Sequence, residues 1–84
     1  MYYLYVLLGN KKNWHYIGST DNVERRLLEH NKGKVKSTKA YRPLKVIYTE
    51  AYSNRMLARK RELFLKKTAK ARIELFNNLH AAIV

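Results

Sequence analysis

Cysteine is absent from the 84 residues, which excludes disulfides and cysteine nucleophiles, and three histidines with no thiolate beside them do not make a zinc site. Acidic residues are few: six Asp and Glu stand against eighteen Lys and Arg, a formal net charge of +12. So much charge of one sign repels itself in a small body, and it points to a polyanionic partner. Nucleic acid leads, because each phosphate neutralised releases condensed counterions. An anionic membrane would want a basic helix with a broad apolar face or a lipidation signal; the C-terminal segment matches the first weakly and the second is missing.

Long apolar runs are missing too. The first eight residues are apolar but too short for a signal-sequence core, carry no basic flank, and run into Gly9-Asn10-Lys11-Lys12. The expectation is a cytoplasmic protein without a targeting segment or a membrane span. There is no repeat and no low-complexity tract, so residues 1–84 read as a single domain with a thin core. An apolar content of 46%, with seven tyrosines in it, is enough for a folded chain.

Residues 2–8, Tyr-Tyr-Leu-Tyr-Val-Leu-Leu, are apolar without alternation, as a central strand covered on both faces requires. Turn residues 9–13 follow, and a second short strand over 14–18 completes a hairpin that brings Tyr5 and Tyr16 onto neighbouring strands. Asp21-x-x-Glu24 resembles a capping box and opens a helix over about 21–32, which Gly33 ends. Arg26 and His30, four residues apart, share one face of it.

Residues 32–42 read as a mobile basic loop that Pro43 closes, and 44–51 as a third strand. Ser53 or Asn54 caps a second helix running to about Thr68. Met56, Leu57, Leu63 and Phe64 form one apolar patch on it, and Ala58, Glu62 and Leu65 a second stripe. Glu62 thus stands between apolar neighbours, an unusual place for a carboxylate. A third helix spans roughly 69–82. The element order is β-β-α-β-α-α.

The succession Tyr5, Tyr16-Ile17-Gly18, Arg26, His30 and Glu62 resembles the GIY-YIG endonuclease family over nearly the whole chain. The resemblance is to its small stand-alone members, related to the N-terminal nuclease module of the excision-repair excinuclease. It implies an α/β domain of the α+β kind, with a three-stranded antiparallel sheet flanked by helices. It places Tyr5, Tyr16, Arg26, His30 and Glu62 at the catalytic centre, with Glu62 as the ligand of Mg²⁺ or another divalent metal. In two places the chain departs from the family pattern. Tyr3-Leu4-Tyr5 lacks the glycine of the first signature, and His80 falls where some members carry a terminal asparagine.

Phosphodiester hydrolysis needs a deprotonated water, charge on the phosphate and support for the leaving oxygen. Arg26 would hold the phosphate by its fork, and Mg²⁺ commonly binds through one or two carboxylates, here Glu62. Tyr5, Tyr16 and His30 are all candidates for proton transfer, His30 because an ordinary imidazole titrates near working pH. Gly18 and the loop residues Lys32, Lys34, Lys36, Lys39 and Arg42 are the expected nucleic-acid contacts, with DNA ahead of RNA as partner and a further protein as a source of targeting. The plainer readings are packing for the tyrosines, a turn for Gly18, and a helix-surface pair with Lys66 for Glu62. They lead to the rival expectation, a basic binding module without turnover.

Overall fold

A computed structural model describes residues 1–11 and 14–83, apart from the side chains of 81–83. Lys12 and Asn13, in the expected hairpin turn, lie outside the described residues. The order β-β-α-β-α-α is found: β1 (Tyr2–Leu8), β2 (His15–Thr20), α1 (Val23–Asn31), β3 (Lys45–Tyr52), α2 (Arg55–Lys67) and α3 (Ala69–Ile83). The sheet is antiparallel in the order β2-β1-β3, so β1 is the central strand and β2 an edge.

Side chains alternate across β1 and divide the core in two. Leu4 and Val6, with Ile17 and Leu65, face α2 and α3; Tyr5 and Leu7, with Leu44 and Leu27, face α1. In the register, Tyr5 lies opposite Gly18 and Leu7 opposite Tyr16, so the two tyrosines are diagonal neighbours on the α1 face. Glu50 pins the other edge: it accepts from the hydroxyls of Tyr48 and Tyr52, both at 2.6 Å, and holds Arg61 of α2 through both oxygens.

The cap of α1 is one residue later than expected. Asn22 accepts from the Arg25 amide, while Asp21 is left to pair with the Arg25 side chain at 2.6 Å. Gly33 ends the helix at φ +79°, where a side chain would be strained. On α2, capped by Asn54, the buried stripe is Ala58, Glu62 and Leu65, and Met56, Leu57, Leu63 and Phe64 look outward. Ala58 is small enough to let the helix lie close on the sheet.

The segment after α1 is a correction to the expected mobile loop. Thr38 is fully buried, a 3-10 turn spans Lys39–Tyr41, and Asn31 clamps the backbone of Leu44 through both a donor and an acceptor. Among the described residues no helix is long and apolar enough to cross a membrane.

Candidate active site

Tyr5 is 2% exposed, and its ring crosses under β2 to place its hydroxyl over Gly18. A Cβ at position 18 would stand 2.5 Å from that oxygen, so Gly18 is the gap through which the hydroxyl fits. Tyr5 Oη lies 2.9 Å from His30 Nε2, and His30 Nδ1 lies 2.8 Å from Thr38 Oγ1. Thr38 donates its own proton to the Val35 carbonyl at 3.3 Å, which leaves it an acceptor toward the imidazole. The tautomer follows: Nδ1–H donates to Thr38, and Nε2 accepts from Tyr5. The Arg26 guanidinium stands close enough to act on the Tyr5 phenol electrostatically.

The Tyr5–His30–Thr38 relay is neutral. Burial, with the Arg26 charge adding to it, drives the His30 pKa down to about 4, which corrects the expectation of an imidazole titrating near working pH. Burial pushes the Tyr5 phenol up to about 12, against the pull of Arg26. Tyr16 completes the group, its ring 6.3 Å from Tyr5 and edge-on to His30 at 5.1 Å. It is only half-buried, so it is the phenol that solvent reaches.

Glu62 is on the opposite face of the sheet. Oε1 accepts from Ser19 at 2.6 Å, while Oε2 takes Lys66 at 2.7 Å and Arg59 at 3.0 Å. Burial works to raise its pKa, but these three partners outweigh it and hold the carboxylate ionised below its usual range. Because β2 is an edge strand, the two faces communicate around it: the Lys66 ammonium on Glu62 also lies 5.5 Å from the centre of the Tyr16 ring.

At the end of β2 a cavity of about 430 Å³ joins the two helices. Arg25 and Arg26 line it from α1, and Arg55 and Arg59 from α2, with Ser19 and Thr20 as its floor. Asp21 and Glu29 are there too, but already paired to Arg25 and Arg26. Three of the four guanidiniums are paired, Arg59 with the adjoining Glu62, so four positive charges against three carboxylates leave the cleft net positive and suited to an anion.

The structure therefore gathers Tyr5, Tyr16, Arg26 and His30 on one side of β2, with Glu62 reached around its edge. Lys32, Lys34, Lys36, Lys39 and Arg42 are on the segment beyond the far end of α1, and none of them lines the cleft. Sequence reasoning missed Ser19, Thr38, Arg25, Arg55 and Arg59. The arginines near the starts of two helices were the one available signal.

The residues present decide what kind of metal could fit. Among the described residues no three His, Cys, Asp or Glu side chains cluster, so there is no closed cage. One ionised carboxylate beside an anion site instead fits an ion such as Mg²⁺, which keeps waters and shares substrate oxygens.

The chain has a sheet between helices, with paired tyrosines, a helix arginine and histidine, and a carboxylate on the next helix, and residues 1–77 match the family model of the GIY-YIG catalytic domain. The chain belongs to the GIY-YIG family. It is 37% identical over 78 residues to a UPF0213 protein of Vibrio campbellii, covering 92% of this chain and 75% of that one. It is 33% identical over 76 residues to UPF0213 protein YazA of Bacillus subtilis, covering 89% and 76%. The solution NMR structure of UPF0213 protein BH0048 from Bacillus halodurans superposes with a TM-score of 0.55 at 29% identity, over 93% of this chain and 83% of that one.

Proposed function

We propose that the protein is a divalent-metal-dependent endonuclease that hydrolyses DNA phosphodiester bonds, with weak sequence specificity and a preference set by DNA structure. The observation that carries this is the ionised Glu62 beside an arginine-lined cleft, with the Tyr5–His30–Thr38 relay directly across β2. Arg26 and Arg59 hold the phosphate. Tyr16, the accessible phenol, positions the attacking water, and the buried Tyr5–His30 pair is the rigid neutral support beside Arg26. Glu62 would hold a divalent cation, which would supply positive charge against the negative charge that develops at the phosphate. With one such centre among the described residues, a monomer would nick.

A second reading rests on one observation: Glu62 Oε2 already holds two cations, which a metal has to displace. On it the protein is a basic binding module on the same fold. Cleavage of labelled branched, flapped, nicked, single-stranded and plain duplex DNA, with and without Mg²⁺, separates the two. Metal-dependent products that vanish in Glu62→Ala establish the nuclease. DNA retained but never cut, under several divalent metals, establishes the binder.

A further inference from the structure

A second cavity, of about 380 Å³, opens beside Tyr16 and shares no lining residue with the arginine cleft. Trp14, Tyr16 and Phe76 form walls, and Lys66 and Arg72 bring charge to it. Hydrolysis needs no aromatic walls.

These walls are held in place. The Trp14 indole lies flat on Tyr41, with ring centres 3.8 Å apart and planes 6° apart, and is near-parallel to Tyr16 at 6.4 Å. The ammonium groups of Lys11 and Lys66 stand over the two outer rings, 5.6 Å from Tyr41 and 5.5 Å from Tyr16. On the α3 side, Phe76 is stacked on His15 at 4.3 Å. Arg72 is fixed by donating to the Leu65 and Lys66 carbonyls at the end of α2. Trp14, Tyr16 and Phe76 are each only half-buried, so their rings keep surface for a ligand.

A flat, π-faced group flanked by negative charge matches these surroundings, and a nucleotide with an unpaired base has that form. A base in a duplex is already stacked on its neighbours and is not offered. Lys66 ties the cavity to the reaction centre, since its ammonium lies 2.7 Å from Glu62 and over the Tyr16 ring. The volume is within the range of small-ligand sites. Resting on the reading that the arginine cleft takes a phosphodiester, the geometry points to this cavity as the seat of an unpaired nucleobase on a nucleotide adjoining the scissile phosphate. Strands with exposed bases are then the preferred substrates.

Trp14 is the single tryptophan of the chain, so its fluorescence reports on the cavity directly. The intact protein is titrated, with chelator present so that nothing is cut, with a short single strand, the same strand carrying abasic sites, and the corresponding duplex. The base-bearing strand is expected to quench the tryptophan and to bind roughly 5- to 150-fold more tightly than the abasic strand, the range that one base–aromatic stack gives. Duplex and abasic strand should bind with little quenching, and Trp14→Phe should keep the preference that Trp14→Ala loses. Equal affinity and equal fluorescence change for base-bearing and abasic strands overturn the nucleobase site and leave the phosphodiester reading standing. Absence of binding to all three overturns both.

Discussion

Beneath Tyr5 the polar groups are dry and uncharged, each donor meeting an acceptor in a line that ends on the Val35 carbonyl; around Glu62 they are ionic, and two of the partners face water. The Arg59 and Lys66 side chains are 58% and 42% exposed, whereas His30 and Thr38 are wholly buried. The first group has one arrangement of protons and no substitute partners, so it specifies a structure. The second can exchange partners at small cost, as the proposed exchange of an ammonium for a metal ion at Glu62 would require. Rigidity and exchangeability are thus divided between the two faces of β2. If the division is real, damage to the first should appear mainly as lost stability and damage to the second mainly as lost turnover.

The largest loss of stability is expected from Gly18→Ala. The new Cβ would meet Tyr5 Oη at 2.5 Å and Cζ at 2.6 Å, and swinging the ring away would break the bond of its hydroxyl to His30. Overpacking of this kind costs about 3 kcal/mol. Chemical denaturation measures it, and a loss under about 1 kcal/mol, below the usual overpacking range, would mean that the Tyr5 ring is not fixed.

Acid should act next, through His30. An unfolded histidine titrates near 6.5 and this one near 4, so between those values the unfolded chain binds the extra proton. The stability that the neutral imidazole contributes is complete above pH 6.5 and is lost as pH falls toward 4, by about 2–3 kcal/mol over the window. Thermal unfolding of wild type and His30→Gln across roughly pH 4–7 checks the sign: the slope should flatten in the variant.

Thr38→Val removes the acceptor of Nδ1–H while keeping the shape, at about 1–2 kcal/mol. Thr38→Ser should restore most of it. If valine costs nothing, the tautomer is not set from this side.

Much of this was legible in the chain. The unalternating run of β1 declared a strand buried on both faces, and the order of Tyr5, Tyr16, Arg26, His30 and Glu62 marked the candidate site. Thr38 was not legible, because a lysine-, glycine- and serine-rich segment has no periodicity to reveal that one threonine folds back beneath a histidine eight residues earlier. Nor was the buried face of α2 decided by hydrophobicity. Met56 is 71% exposed and Phe64 47%, while a stripe containing a carboxylate is buried, because Ala58 permits close approach and Ser19 gives Glu62 a partner. The arginine cleft depends on how the starts of two helices meet at the end of β2, and no local pattern encodes that meeting.

Glu62→Gln should have the smallest effect on stability and bears hardest on the comparison. Removing one member of a buried ion pair is usually costly because its partner is stranded in a dry place. Here the partners are not stranded: Arg59 and Lys66 recover water by small rotations, and the amide remains able to accept from Ser19. The desolvation of the carboxylate, which works against its ionised form, disappears at the same time. These terms oppose each other and leave a net change within about 1 kcal/mol. Metal-dependent cleavage should nevertheless be lost, since the neutral amide no longer supplies the charge for a divalent ion. Denaturation and cleavage measured on one preparation test both halves. A variant that unfolds easily would show that Glu62 belongs with His30 as part of the scaffold, and one that still cuts would remove it from the reaction.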